Sequence, residues 1–229
     1  MKTCKLPGRL QLVLLSVAMS CVALPARALD VGVSVGAGTL GAGAAVTFGV
    51  AERLNARVGF GNFSKDVNFE ESEVEYEGEI TLGGTYALID FHPFKGGFRV
   101  SGGLISNNNE LSGDARLTSA VEIGNQTYTP AEIGALSAVI DFDDVAPYIG
   151  IGWGNAADGK RGFGFSFDLG LMLQGSANVK LDAEDGTLVD DPVFQADLQR
   201  EEENLQNDLD ELVNVDAYPV VALGFSFTF

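Results

Sequence analysis

The sequence predicts an all-β protein: an eight-stranded antiparallel transmembrane β-barrel with one amphipathic helix in its last long loop. Three observations predict it. Counting back from Phe229, every second residue is apolar (Phe227, Phe225, Leu223, Val221, Pro219), and most residues between them are small or polar (Thr228, Ser226, Gly224, Ala222). Period-two alternation means that one face of a strand meets an apolar medium and the other does not. Second, no apolar run after Ala28 reaches the roughly 18 residues that a spanning helix needs, so a closed barrel is what remains to satisfy every backbone group in lipid. Third, short and long connections between the alternating segments take turns, as they do in such barrels.

The strands follow in order. Val31–Val35 opens the first, and a glycine-rich turn near Gly38–Gly41 leads into Ala44–Val50, which presents Val46, Phe48 and Val50 on one face. A short turn at Ala51–Leu54 precedes Asn55–Phe63, with Ala56, Val58 and Phe60 opposite Arg57. Residues 64–79 are long and acidic and read as a loop. Ile80–His92 is the fourth strand, closed by a turn at His92–Gly97 that holds a proline and paired glycines. Phe98–Ser106 is the fifth. Residues 107–144 are polar, although Leu136–Phe142 alternates and extends a strand. Val145–Trp153, Phe163–Leu173 and the terminal segment complete eight, with a turn at Asn155–Arg161 between the first two of these.

A soluble barrel alternates too, but it places its large apolar residues inside. Here the faces opposite the apolar stripes carry mostly glycine, alanine and serine, too little volume for a dry core. The stripes are therefore expected to face lipid.

The N-terminus reads as a cleaved signal peptide, residues 1–28, followed by a single barrel domain, residues 29–229. Lys2, Lys5 and Arg9 precede an apolar Leu10–Met19, and Ala26-Arg27-Ala28 supplies the small-x-small cleavage pattern. The apolar run is short for a retained anchor, and Ala18-Met19-Ser20-Cys21 is a poor lipobox. Four of the 14 basic residues and none of the 32 acidic ones lie in this leader, so the remainder carries a formal charge of −22. Both cysteines, Cys4 and Cys21, also fall there, which excludes disulfide and thiolate chemistry from the mature chain. So acidic a chain is not expected to bind nucleic acid, because it has little with which to neutralise phosphates.

Val145–Asn155, Phe163–Gln174 and the acidic segment before the last strand resemble the small eight-stranded bacterial outer-membrane proteins of the OmpA/OmpX/OmpW type, in an uncharacterised proteobacterial subgroup. Phe225, Phe227 and the terminal Phe229 are similar to the C-terminal assembly signal of that class. The resemblance implies export, insertion by the barrel assembly machinery and residence in the outer membrane beside lipopolysaccharide. The short turns at 51–54, 92–97 and 155–161 would then face the periplasm, and 64–79, 107–144 and 175–214 the cell exterior. Such folds host channels, adhesins and enzymes alike, so the resemblance fixes no activity.

Four charges fall on lumen positions: Arg57, Asp90, Arg99 and Asp168. In a narrow lumen they are expected to pair, because an unpartnered buried charge costs several kcal/mol. No catalytic residues are assigned. The only histidine, His92, falls in a periplasmic turn and reads as an interfacial anchor. The segment 175–214 holds 12 acidic residues against Lys180 and Arg200, a net of −10. Asp182, Glu184, Asp185, Glu201, Glu202 and Glu203 are its candidate cation-attracting groups, and the segment 64–79 adds seven more acids. Asp182–Gly186 lacks the register of a calcium loop, so loose association with divalent or organic cations is expected rather than a metal site, and no cofactor is implied. Asp191-Pro192 reads as an N-cap and first helical residue, and Phe194, Leu198, Leu205, Leu209 and Leu212 follow at helical spacing, giving a helix over about 192–212 that caps the barrel rim or binds a partner.

Two functions from different classes follow: a non-enzymatic structural or surface-interaction protein with a closed lumen, or a narrow cation-preferring channel for small solutes. The processing reading has a direct check. Intact-mass analysis of membrane-extracted protein should give a chain beginning at Leu29; a chain beginning at Met1, or a lipid-modified Cys21, would overturn it.

Overall fold

A computed structural model describes residues 30–71, 74–212 and 217–229. The expected signal peptide lies outside the described residues. The chain forms β1 (Val31–Gly38), β2 (Gly41–Ala51), β3 (Leu54–Glu71), β4 (Val74–Phe91), β5 (Phe98–Asn107), β6 (Glu110–Arg116), β7 (Val121–Ile123), β8 (Gln126–Tyr128), α1 (Pro130–Ile133), β9 (Gly134–Asp141), β10 (Val145–Trp153), β11 (Gly162–Leu173), β12 (Asn178–Asp185), α2 (Pro192–Leu212) and β13 (Ala217–Thr228).

Eight of these close an antiparallel barrel. Neighbours in sequence pair from β1 to β5, then β5 with β10, β10 with β11, β11 with β13, and β13 back with β1. The closing rungs run from Gly32↔Thr228 to Gly38↔Ala222, so the C-terminal strand seals the seam beside the first one. Outward positions are apolar and exposed: Val58, Phe60, Ile89, Leu104, Ile149, Ile151, Leu169, Leu171, Leu223 and Phe225. That is the transmembrane belt, and its alternation with the inward row follows from the pleat. At the short-turn end the belt becomes aromatic. Phe163 packs edge-on to Phe227 (ring centroids 5.0 Å apart), Phe227 to Phe229 (5.3 Å), and Trp153 at the end of β10 and Phe94 in the 92–97 turn stand exposed at the same end.

The three long connections are not loops, which corrects the sequence expectation. β3 and β4 stay paired from Leu54↔Phe91 up to Glu71↔Val74, through the whole of the acidic stretch read as a loop. β6 and β9 continue β5 and β10 in the same register: Ser106 faces Val145, and five residues further along Leu111 faces Ile140. β12 then pairs with β9. One side of the barrel wall thus rises beyond the belt as a five-stranded sheet, β3-β4-β6-β9-β12, here called the crown.

The pattern that makes the crown is period two with acids in place of lipid-facing residues. Residues on one row share a face. Asp66, Glu79, Ser112, Val139 and Lys180 lie on successive strands of one row, and Glu77, Asp114, Ser137 and Asp182 on the next row of the same face. This acidic face continues the lipid-facing side of the barrel, its first row, Asp66↔Glu79, standing three outward rungs above Phe60, past Asn62↔Gly83 and Ser64↔Thr81. The opposite face holds Ile80, Leu111, Leu136, Ile140, Val179 and Leu181 and continues the lumen side.

Helix α2 spans Pro192–Leu212, as the capping signal predicts: Asp191 Oδ1 accepts from the backbone N–H of Val193 (2.8 Å) and Phe194 (3.2 Å). Its apolar stripe does not simply rest on the barrel rim. Phe194 and Leu198 are buried in a second core with Ile123, Tyr128, Ile133 and Ala183, supplied by the β7–β8 hairpin, α1 and β12. Leu205 is exposed, and the side chain of Leu212 lies outside the described residues. Polar side chains on the same helix serve the free edge of β12. Glu202 Oε1 accepts from Leu181 N (2.7 Å), and Gln206 both accepts from Val179 N (3.1 Å) and donates to Ala177 O (2.6 Å). An edge that would otherwise offer its backbone to any passing chain is covered.

Inside this second core the Tyr128 hydroxyl donates to Asp197 Oδ2 (2.7 Å), and Arg200 pairs with the same carboxylate. Burial, reinforced by the carboxylate it faces, pushes Tyr128 up to about 12, while the hydrogen bonds from Tyr128 and Arg200 hold Asp197 below the usual carboxylate range. The depressed acid stabilises the fold above its unfolded value near 4 and loses that contribution as pH falls further. The raised phenol stabilises it below about 10 and loses that contribution as pH climbs toward 12. Amide-exchange protection factors in 121–128 and 192–200 should therefore fall below about pH 4 and above about pH 10, with those of the barrel strands unchanged. Protection independent of pH in these two segments would refute the assignment. Phe194→Ala should loosen the same segments at neutral pH, by about 3–5 kcal/mol.

Candidate functional site

The lumen is where the chain concentrates buried polar chemistry. Arg57 on β3, Asp90 on β4, Arg99 on β5 and Asp168 on β11 meet at one level. Arg57 grips Asp90 through Nε (2.9 Å) and Nη2 (3.0 Å), and reaches Asp168 through Nη1 (3.2 Å) and Nη2 (3.1 Å). Arg99 Nη2 donates to both oxygens of Asp168 (2.8 and 2.7 Å), and its Nη1 donates to Gly154 O (2.5 Å). Ser101 Oγ donates to Asp90 Oδ1 (2.5 Å). The fourth side of the square is looser: Arg99 Nε stands 3.8 Å from Asp90 Oδ1 and has no hydrogen-bond partner among the described residues. Two positive and two negative charges leave the cluster neutral, and all four side chains are at most 11% exposed. Each planar guanidinium can engage two carboxylates at once, which a lysine could not.

Above this square, toward the crown, the lumen is not lined by small residues alone, as the alternation implied. Leu88, Ile105, Ala146, Tyr148, Met172 and Val220 form a buried cluster, with Leu40, Tyr86 and Tyr218 packed against it. The tyrosines lie flat over glycine: a methyl at Gly59 would stand 2.5 Å from the Tyr86 hydroxyl, and one at Gly170 2.5 Å from that of Tyr148. The glycine-rich stripe is therefore a bed for aromatic rings carried by other strands. Arg57 also sits 5.9 Å from the centre of the Tyr86 ring, cation over π face. A cavity of about 100 Å³ remains between these rings and the β1–β2–β13 wall, and one of about 20 Å³ lies on the short-turn side of the square. Arg57, Ser34 and Ser166 line both.

His92 departs from the anchor role read from its turn. Its ring is 2% exposed and turns inward, facing Asn55 Nδ2 (3.2 Å) and Gly96 O (3.0 Å), and Asn55 donates onward to Asn155 (2.9 Å). It forms part of a polar floor at the short-turn end of the lumen. Beyond it Phe94, Lys95 and Gly96 reach the surface.

The acidic candidates divide by location. Asp182 and Glu184 are on the edge strand β12, and Asp185 ends it with a left-handed backbone (φ 63°). Glu201 accepts from Gly124 N (3.2 Å) and Glu202 from Leu181 N, so both hold the crown together, while Glu203 is exposed. Phe225, Phe227 and Phe229 belong to the aromatic belt of β13.

No family model matches the chain, and no curated protein matches it. Among solved structures it is similar to CarO2 of Acinetobacter baumannii, with 19% identity and a TM-score of 0.53 over 89% of this chain and 100% of that one. It is also similar to CarO of Acinetobacter baumannii, with 18% identity and a TM-score of 0.52 over 87% and 98%. A major outer membrane protein from Thermus thermophilus aligns at 13% identity with a TM-score of 0.43, over 89% and 100%. The likeness to the first two is one of fold: an antiparallel eight-stranded barrel.

The charge square predicts strong coupling. Arg99→Met should destabilise the barrel by about 3–5 kcal/mol, because Asp168 loses its shortest contacts, and adding Asp168→Leu should recover part of that loss. Urea titrations of protein folded into lipid vesicles measure both; strictly additive effects would mean that the charges do not interact.

Proposed function

We propose that the protein resides in the bacterial outer membrane as a non-enzymatic barrel with a closed lumen, whose role is structural or one of surface interaction through its acidic crown. The observation that carries this reading is the Arg57–Asp90–Arg99–Asp168 square between two cavities of about 100 and 20 Å³. An eight-stranded barrel leaves an interior that side chains can fill. Here a paired square and a tyrosine layer occupy it, and an ion passing through would have to break several charge-assisted hydrogen bonds at once.

The crown supports the interaction half of the proposal. Asp66 and Glu79 face outward three rungs above Phe60 of the lipid belt, and Glu77, Asp114 and Asp182 four rungs above it. In an outer membrane that is the level of the lipopolysaccharide phosphates, where divalent cations would bridge carboxylate to phosphate weakly and cumulatively. Insertion would run through the barrel assembly machinery, with the Phe225–Phe229 stripe as its signal. The competing reading, a narrow cation-preferring channel, shares the same acidic exterior and differs only in the lumen.

Planar-bilayer recording separates them. Purified protein should give no steady unitary current, and Arg57→Ala together with Arg99→Ala should open a small one. A steady cation-selective current from the unaltered protein would replace the closed-lumen reading with the channel. An anion-selective current would defeat both. Because Glu201 and Glu202 hold the crown, the substitutions that probe cation preference belong at Asp66, Glu77, Glu79 and Asp114.

A further inference from the structure

Six hydroxyl groups line the two lumen cavities. Ser34, Tyr86, Tyr148 and Ser166 border the upper one, and Ser34, Thr47, Ser166 and Ser226 the lower. None of these hydroxyls makes a hydrogen bond among the described residues, although Thr47, Tyr148 and Ser226 are at most 5% exposed. The buried polar groups around them are matched: Asn55 bonds His92 and Asn155, Ser101 bonds Asp90, and Thr228 bonds Ala156 O. Leaving a buried hydroxyl without a partner costs about 1–3 kcal/mol, and native interiors seldom do so. Hydroxyls that face one another across polar cavities find that partner in water.

Room and path agree with this. A water needs about 10–15 Å³ of such space and takes up about 30 Å³ in the liquid, so the cavity of about 20 Å³ holds one and that of about 100 Å³ holds about three. Four waters making about three hydrogen bonds each are enough for six hydroxyls and for one another. The cavities adjoin where Arg57, Ser34 and Ser166 line both, so the gap between them runs beside the square, along the β1 and β11 wall. Upward, the larger cavity follows the exposed Gly36 and Gly38 to Leu40 and Gly41 at the β1–β2 hairpin. Downward, the smaller one ends on groups bonded to each other: Asn55 to His92 (3.2 Å) and Asn155 (2.9 Å), and Thr228 to Ala156 O (3.0 Å). We propose that the lumen is a one-ended water well, in which about four ordered waters pass the charge square and stop at the Asn55–His92–Asn155 floor. The square then bars ions and the floor bars water. This refines the closed-lumen reading and rests on it.

Two measurements test it. A high-resolution crystal structure of the full chain should show water on Thr47 and Ser226 below the square and on Ser34, Ser166, Tyr86 and Tyr148 beside and above it. Hydroxyls turned onto backbone carbonyls, or an alkyl chain in the upper cavity, would overturn the proposal. Stopped-flow osmotic swelling of proteoliposomes reads the path. The unaltered protein should add no water flux to that of protein-free vesicles, whereas Asn55→Ala and, separately, Asn155→Ala should raise it at least about threefold while planar bilayers carry no ionic current. Adding Ser34→Val, which narrows the gap beside the square, should return either variant to the lipid rate. Heat-modifiable migration on gels identifies a variant that fails to fold, and the remaining one then decides. Folded floor variants that swell no faster than lipid would show that the square stops water too and would defeat this inference alone. So would a water flux through the unaltered protein without current. A steady current from the unaltered protein would instead defeat the closed-lumen reading beneath it.

Discussion

A backbone in hydrocarbon has no water to bond to, and most of this architecture follows from that. Eight strands close because an open edge inside the membrane would leave a row of unsatisfied N–H and C=O groups. The seam between β1 and β13 is thus as necessary as any hairpin, and its inward rungs Ser34↔Ser226, Gly36↔Gly224 and Gly38↔Ala222 make it with small residues that let the strands curve. Once the wall rises beyond the belt the requirement relaxes. β12 becomes an edge, and Glu202 and Gln206 of α2 take over the hydrogen bonds that another strand would have made. The helix is the solution to an edge that exists only because five strands outgrow the other three.

The same constraint shapes the lumen. Closure at eight strands leaves a narrow interior, and charges placed there must meet one another. Arg57 and Arg99 do so with geometry that only guanidinium allows, Arg57 bonding both aspartates and Arg99 approaching both from another strand. Glycine on the facing strands gives the tyrosine rings room to lie flat. Filling the barrel and bracing it are one arrangement, in which removing volume would also loosen charge.

Much of this was legible in the residues. The alternating stripes locate all eight barrel strands, the turns at 92–97 and 155–161 fall where proline or glycine puts them, and Asp191-Pro192 marks the start of α2. Arg57, Arg99 and Asp168 stand out because each has glycine or serine beside it on its inward stripe, and Asp90 because it is an acid on the inward row between Leu88 and His92. The crown was hidden for a physical reason. Its strands keep the period of two, but Asp66, Glu77 and Glu79 occupy the positions that phenylalanine and valine hold lower down, and acid density reads as loop. The tyrosine layer was hidden because alternation assigns residues to faces without saying how far a ring from one strand reaches across another. His92 was misread because the proline after it marks a turn, and nothing local tells which way the ring before a turn points. The partner of Phe194 and Leu198 is a hairpin of only six paired residues, too short to carry a signal of its own.

Continuity between barrel and crown limits how the chain can vary. Phe98–Arg116 and Gly134–Trp153 share one ladder, so every rung of the crown inherits its phase from the membrane below. A single residue inserted into Glu110–Arg116 would carry Leu111 to the exterior and Asp114 toward the helix, inverting both faces at once. Two residues added to each strand would only lengthen the crown by a rung. Natural variants of this surface are therefore expected to change height in paired steps, while point changes adjust charge, a quantised stature with freely tunable chemistry.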